Sequence, residues 1–259
     1  MPPLASNPST VMLRFSVITA CKNSETTIES ALQSLYGQTY KEFEHIVIDG
    51  CSVDGTVELI QTYANQDTKV FSEEDGGIYD AFNKGLKCAT GDVVCFLNSD
   101  DYFPGIDTLS AVSSWFANTN IQFVYGDANY ISGENGRVVR TWRAREYHDN
   151  SLSKGWSPCH TTLFVRRGVY EDLGFFDTAF RISSDYLYTI KLFKKYGHQS
   201  CYVPKLLKTM RVGGASTKLS NTFIKWKEDY KIVKQERIGG AGTVLLKNIV
   251  KVKQLKLLG

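Results

Sequence analysis

The residues best suited to chemistry in this chain are carboxylates that sit at the ends of apolar runs. Val93, Val94, Cys95, Phe96 and Leu97 lead directly into Asn98, Ser99, Asp100 and Asp101. A continuous apolar run of that length suits a strand covered on both faces. In an open α/β sheet the ligand crevice lies beyond the carboxyl ends of the strands, so the four polar residues would fall at the mouth of a site. Hard oxygen donors there suit Mg²⁺ or Mn²⁺, ions that usually hold substrate phosphates as well. A second reading stays open at this point: Asp100 and Asp101 could simply start a loop and cap the following helix.

A second carboxylate, Asp49, ends the run Glu44-His-Ile-Val-Ile-Asp49 and is followed by the glycine-bounded turn Gly50-Cys-Ser-Val-Asp-Gly55. A third, Asp185, lies in Arg181-Ile-Ser-Ser-Asp-Tyr-Leu-Tyr188 at the start of a helical pattern. Ser184 or Asp185 could cap that helix, or Asp185 could be a partly buried base with a tuned pKa.

The elements that must position these groups follow from periodicity. Phe15–Thr19 reads as a strand and residues 26–36 as a helix with Ile28, Ala31, Leu32 and Leu35 on one face. Residues 44–49 form the second strand, Asp54 is the expected N-cap of the helix through Val57, Leu59, Ile60 and Tyr63, and residues 69–72 form a short third strand. Gly76-Gly77 opens a helix carrying Ile78, Ala81, Phe82 and Leu86. This alternation with short loops predicts a doubly wound, mostly parallel sheet whose right-handed crossovers bring Asp49 and Asp100 to one edge. After Asp101 the pattern changes to a helix near residues 109–115, a strand at 123–126, a hairpin over 129–142 turning at Gly133, Asn135 and Gly136, and an irregular stretch at 144–162. A strand at 163–166, a short helix to Leu173 and a helix ending at Gly197 complete this part.

Composition describes an ordinary globular chain: 259 residues, 42% apolar, 22% charged, net charge +3. The charge is unevenly placed. Residues 218–259 hold ten Lys or Arg against three acids, a net +7 that leaves the remainder at −4. Here Phe223, Ile224, Trp226, Tyr230, Ile232 and Val233 interleave with Lys225, Lys227, Lys231 and Lys234, and Val244–Leu258 repeats the pattern, as basic amphipathic helices do. Such helices can lie on an anionic membrane surface or pack on the domain with a solvated basic face; nucleic-acid binding is not expected. Met1–Thr10 lacks the pattern of a secretory leader, and no apolar run is long enough to span a bilayer. The six cysteines are scattered without a CxxC pair, which fits reduced thiols rather than a zinc site or disulfide frame. The absence of GxGxxG and of a Walker loop disfavours a dehydrogenase or a phosphate-loop ATPase.

Taken together, Val17-Ile-Thr-Ala-Cys-Lys-Asn23, Gln38-Thr39, Val47-Ile-Asp-Gly-Cys-Ser-Val-Asp-Gly-Thr56, Asp75-Gly-Gly-Ile-Tyr-Asp-Ala-Phe-Asn-Lys-Gly85, Ala89-Thr-Gly-Asp92, Leu97-Asn-Ser-Asp-Asp101 and Ser184-Asp-Tyr186 resemble glycosyltransferase family 2. The match is collinear over residues 14–216 and looks most like bacterial enzymes of O-antigen, capsule or exopolysaccharide assembly. The resemblance implies a GT-A fold, an α/β sheet with flanking helices, in residues 1–216. A nucleotide-sugar half would cover 14–101 and an acceptor half 102–216, followed by a basic helical tail over 217–259. It implies metal-dependent, inverting transfer from a nucleotide diphosphate sugar, a UDP-sugar being the expected donor, to a lipid-linked glycan acceptor. The enzyme would work on the inner face of the cytoplasmic membrane, to which the tail would attach it.

By residue, the resemblance makes Asp100 the ligand of Mn²⁺ or Mg²⁺ with Asn98 beside it, and Asp185 the catalytic base. Thr19, Asp49, Asp80, Lys84, Asn98 and Ser99 fall on the donor side, with Arg211 reaching the diphosphate from a flexible loop; His160 and Tyr186 fall on the acceptor side. Two departures stand out. The usual Asp-Asp pair after strand two is Asp49-Gly50, and the first acid of the DxD motif is Asn98. Two other classes compete. A sugar nucleotidyltransferase would need a Gly- and Arg-rich loop that is missing near Ser16–Ser24, and a non-catalytic binding relative would not need both Asp100 and Asp185.

Overall fold

The fold is described from a computed structural model, over residues 12–133, 136–213 and 219–254. The expectations for Met1–Thr10, for Asn135 and for the chain beyond Gln254 lie outside these residues. The first half is built as its periodicity requires: β1 (Phe15–Cys21), α1 (Ile28–Tyr36), β2 (Phe43–Asp49), α2 (Thr56–Tyr63), β3 (Thr68–Ser72), α3 (Ile78–Cys88) and β4 (Val93–Phe96). These strands lie parallel in the order β3-β2-β1-β4, with Cys21 level with Asp49 and Ile18 level with Phe96. Every residue of β1, β2 and β4 is buried, as strands covered on both faces must be. Gly85 lets α3 lie directly on β1: a Cβ there would come within 2.5 Å of Ile18 Cγ2.

Beyond β4 the sheet turns mixed. β5 (Asp101–Tyr102), α4 (Thr108–Trp115), β6 (Phe123–Ile131), β7 (Val138–Trp142), β8 (Phe164–Arg166), α5 (Arg167–Leu173), α6 (Ser184–Tyr196) and β9 (Ser200–Arg211) follow in sequence. The nine-stranded order is β3-β2-β1-β4-β8-β6-β9-β5, with β7 paired to β6 as the expected hairpin. β8 runs antiparallel to both β4 and β6, while β6 and β9 are parallel. The long strand β9 was not anticipated from sequence. Pro204 and two lysines break its apolar run, yet Lys208 is fully buried with its ammonium 3.6 Å from the Phe103 ring centroid. Arg211 is therefore the last residue of a strand rather than part of a flexible loop, a correction caused by the pairing of β9 with β5 at Asp101 and Tyr102.

Helices α7 (Leu219–Gln235) and α8 (Ala241–Lys253) lie on the domain. Ile232, Val233 and Val244 enter the same core as Trp156, Leu187 and Phe193. Gly155, with φ +74°, admits α8 at a distance no side chain would allow, since a Cβ there would be 2.4 Å from the Lys247 nitrogen. A buried ion pair, Lys247–Asp229 at 2.8 Å, joins the two helices. Their outward faces remain apolar: Phe223, Trp226 and Tyr230 on α7, and Leu245, Ile249 and Val252 on α8, are all exposed. No helix among the described residues is long and apolar enough to cross a membrane. All six cysteines are free.

The base of the parallel half is pinned by Glu44, whose carboxylate is 1% exposed. It accepts hydrogen bonds from Ser16 Oγ, the Thr90 amide and hydroxyl, and the Gly91 amide, and it pairs with Lys69 at 2.7 Å. Burial alone would raise its pKa, but Lys69 and these donors outweigh it and bring it down to about 2. A depressed carboxylate stabilises the fold above its ordinary pKa, and that stability is lost as pH falls toward the folded value. The shift corresponds to about 3 kcal/mol. Glu44→Gln should therefore cost about 2–3 kcal/mol in urea denaturation at pH 7 and flatten the decline in stability between pH 5 and pH 2.

Candidate active site

The carboxyl edge of the parallel strands gathers two of the expected carboxylates, but they do different things. Asp49 is fully buried and saturated from within: it accepts from Ser52 Oγ (2.5 Å), the Ser52 amide (3.1 Å) and Ser72 Oγ (2.6 Å). Burial opposes its charge, yet these donors hold its pKa below the usual carboxylate range. It shapes the turn in which Cys51 takes φ 58°. Thr19 is also turned inward, its hydroxyl 2.9 Å from His45 Nε2, and burial lowers the His45 pKa to about 3, so that ring stays neutral. Beside Asp49, a Cβ on Gly50 would lie 2.6 Å from Asp75 Oδ2. Asp75 thus occupies the space that a side chain at position 50 would take, and its other oxygen accepts the Gly77 amide at 2.8 Å. Asp80 and Lys84 brace this loop: Asp80 accepts the Gly76 amide, and Lys84 reaches Glu73 at 3.1 Å, Asp80 at 3.6 Å and the Glu74 carbonyl at 2.6 Å.

Past β4 the chain turns sharply at the DxD position. Ser99 donates to Ser24 Oγ and ties this turn to the loop before α1. Asn98 Nδ2 donates to Asp101 at 3.1 Å, whereas its Oδ1 is buried with no hydrogen-bond partner. Asp101 is buried, and burial together with the neighbouring Asp100 raises its pKa well above the ordinary value. Asp100 lines a cavity of about 400 Å³ with Thr26, Thr27, Gly133 and Arg211. Arg211 stands over the Tyr102 ring (5.5 Å) and donates to Ser30 Oγ and the Asp100 carbonyl. Burial raises the pKa of Asp100 against the opposing charge of Arg211.

These donors fit a divalent cation. An orphaned amide oxygen and a carboxylate that lines the cavity share one turn, although the described residues hold no group of three or more His, Cys, Asp or Glu that could bind a metal. Two protein oxygens suit an ion that takes the rest of its shell from phosphates and water.

The third carboxylate is built from four parts of the chain. Asp185 sits in the first turn of α6, yet neither it nor Ser184 caps the helix: the cap position is Ser183, whose side chain makes no cap bond. Glu228, from α7, accepts the amides of the segment leading into the helix, Arg181 (2.8 Å), Ile182 (2.9 Å) and the cap residue Ser183 (2.9 Å). The Asp185 carboxylate is turned to other partners. Its Oδ2 lies 3.2 Å from His160 Nδ1, and its Oδ1 lies 2.9 Å from the Tyr79 hydroxyl, which is also 2.7 Å from the Ile182 carbonyl. Burial would raise the pKa of Asp185, but His160, with help from Lys225 and Lys247, holds it below the usual carboxylate range. An ionised carboxylate backed by an imidazole can take a proton from a substrate hydroxyl.

His160 thus stands at Asp185, whereas Tyr186 faces away, buried with its ring face 3.2 Å from Lys247 Nζ. Sequence reasoning missed Tyr79, although it lies inside a quoted motif, and Glu228, for which no local signal exists.

A curled α/β sheet with an Asn-Ser-Asp turn after β4 and a carboxylate paired with an imidazole at the start of α6 has the architecture of a GT-A glycosyltransferase. Residues 16–193 match the family model described as glycosyl transferase family 2, and the chain belongs to that family. A PGL/p-HBAD biosynthesis glycosyltransferase of Mycobacterium bovis (strain BCG / Pasteur 1173P2) is 28% identical over 214 residues, covering 81% of this chain and 80% of the relative. Among solved structures, S. aureus TarS 1-349 in complex with UDP-GlcNAc superposes with a TM-score of 0.67 at 22% identity, over 87% of this chain and 66% of that one. The mannosyltransferase PcManGT from Pyrobaculum calidifontis, in complex with GDP-Man and Mn2+, gives 0.67 at 21% identity, over 96% of this chain and 73% of that one.

Proposed function

We propose that the protein transfers a sugar, with inversion, from a nucleotide diphosphate sugar to a hydroxyl of a lipid-diphosphate-linked glycan during assembly of a surface polysaccharide. A UDP-sugar is the first donor to try, since TarS is described with UDP-GlcNAc. The observation that carries the reading is the Asp185 carboxylate, held ionised at the start of α6 between His160 and Tyr79.

In this reading Asn98 and Asp100 would hold Mg²⁺ or Mn²⁺, and Arg211 adds positive charge at the same end of the cleft. The bound ion supplies charge that stabilises the departing diphosphate. Asp185 receives the acceptor proton. A carboxylate with a depressed pKa is a weak base, so the proton moves late, once the hydroxyl oxygen has begun to bond to the anomeric carbon and become acidic. His160 and Tyr79 hold the carboxylate's two oxygens in place and exclude alternative rotamers. The exposed apolar faces of α7 and α8, with Lys227, Lys231 and Lys234 exposed on α7, support attachment to an anionic membrane surface, where a lipid-linked acceptor would be met.

Three measurements test this. Asp185→Asn should lower kcat by about three orders of magnitude or more with donor affinity unchanged, and the wild-type kcat profile should show no acid limb from Asp185 above about pH 4. A variant with full turnover would remove Asp185 from the chemistry. Asp100→Ala should abolish the Mn²⁺-dependent rise in melting temperature that UDP gives the wild type, an effect EDTA should reproduce. In flotation with phosphatidylglycerol vesicles the protein should rise with the lipid, and Phe223→Ser/Trp226→Ser should stay at the bottom; equal partitioning would sink the membrane role.

A further inference from the structure

Outside the groups already assigned, the largest unexplained feature is a crowd of cations beside Asp185. Arg140, on β7, lays its guanidinium 4.3 Å from the Trp142 ring centroid and 5.1 Å from that of Tyr130. It donates to Gln254 Oε1, while its Nε is buried without a partner. Lys251, on α8, approaches the same Trp142 ring at 5.6 Å. One turn earlier, Lys247 is 5% exposed, wedged between the Tyr186 ring and Asp229. Lys225, on α7, is near enough to Asp185, Lys247 and Lys251 for its charge to act on all three.

Asp229 and Asp185 are the carboxylates that act on the three lysines, and Asp185 is already engaged by His160 and Tyr79. The consequence is mutual destabilisation. Burial, then repulsion from Lys247 and Lys225, pushes the Lys251 pKa well below its ordinary value. Burial brings Lys247 to about 8 despite Asp229, and lowers Arg140 as well. Aromatic faces under Arg140, Lys247 and Lys251 soften this but supply no countercharge. Charge held at a cost to the fold, in one place, next to a reactive group, is how binding sites for the opposite charge are built.

We propose that Arg140, Lys225, Lys247 and Lys251 form a subsite for the phosphate or diphosphate group of the acceptor, an inference that rests on the lipid-linked acceptor proposed above. The placement suits such a molecule. The cluster adjoins Asp185 on one side, and the helices that supply three of its cations turn Phe223, Trp226, Leu245, Ile249 and Val252 outward on the other. A sugar hydroxyl at Asp185, an anion among the cations and an isoprenoid chain along the apolar faces would then each have a place. The donor diphosphate has its own place, at the turn after β4 and the end of β9.

The test uses the full chain saturated with UDP and Mg²⁺, so that the donor end is filled. Farnesyl diphosphate, farnesol and inorganic diphosphate are titrated by calorimetry and by melting temperature. Farnesyl diphosphate should bind and raise the melting temperature, and farnesol should bind at least about tenfold more weakly, as expected for loss of a charge-assisted contact. Lys251→Met should weaken farnesyl diphosphate about tenfold while melting no lower than the wild type, because removing an uncompensated cation relieves repulsion. Lys251→Arg should restore binding. A purely structural lysine gives the opposite result, a lower melting temperature with unchanged affinity, and that would overturn the proposal. So would farnesol binding as well as the diphosphate, inorganic diphosphate matching the farnesyl compound, or phosphatidylglycerol vesicles displacing it; the last two would reassign the cluster to free phosphate or to lipid headgroups. Because the readout is binding, it stays distinct from the fate of Asp185 in transfer assays.

Discussion

One carboxylate decides where the reactive half of this molecule begins. Glu228 accepts three consecutive backbone amides, of Arg181, Ile182 and Ser183, at 2.8–2.9 Å. Buried or half-buried amides left without such an acceptor are costly, and Ser183 is the cap residue of α6, where a negative charge also complements the helix dipole. The segment entering α6 is thereby tied to α7, two residues before Asp185. Because Glu228 comes from α7, a segment that reads as a detachable tail is bound into the centre of the molecule. The burial of Ile232, Val233 and Val244 and the Lys247–Asp229 pair hold α7 and α8 where Glu228 can reach that segment.

The parallel half of the fold was legible because its physics is local. Strands buried on both faces are continuous apolar runs, and α1 and α3 carry their buried residues on one helical face. The second half was less legible because its determinants are distant in sequence. β9 owes its existence to pairing with β6 and β5, and its buried Lys208 carries the signature of a surface residue. Arg211 was placed on a loop for the same reason. The meeting of Asp185 with His160 and Tyr79 spans 106 residues between Tyr79 and Asp185 and leaves no periodic trace. At the donor edge, residue type was a better guide than side-chain direction. Asp49, Thr19 and Ser99 have partners inside the protein, whereas Asn98 and Asp100 keep oxygens available.

The distribution of charge follows a consistent division. Where carboxylates serve the fold, as at Glu44 and Asp49, several donors converge and the charge is fully compensated. Where groups are available for a substrate, compensation is incomplete: Asn98 has an orphan oxygen, Asp100 stands beside the like charge of Asp101, and Lys251 is repelled by Lys247 and Lys225. Incomplete compensation lowers stability and is retained at sites that need a ligand to complete them.

The pairing of Gly50 with Asp75 constrains how this chain can vary. An aspartate at position 50 would drive its Cβ to 2.6 Å from the Asp75 carboxylate and set two negative charges against each other. Position 50 can gain a side chain only if the Asp75 carboxylate swings away from it or position 75 changes as well, and an acidic side chain there adds repulsion to the steric cost. Residues 25 positions apart in sequence therefore behave as one heritable unit. Among homologues that fold this edge in the same way, they should be found to covary.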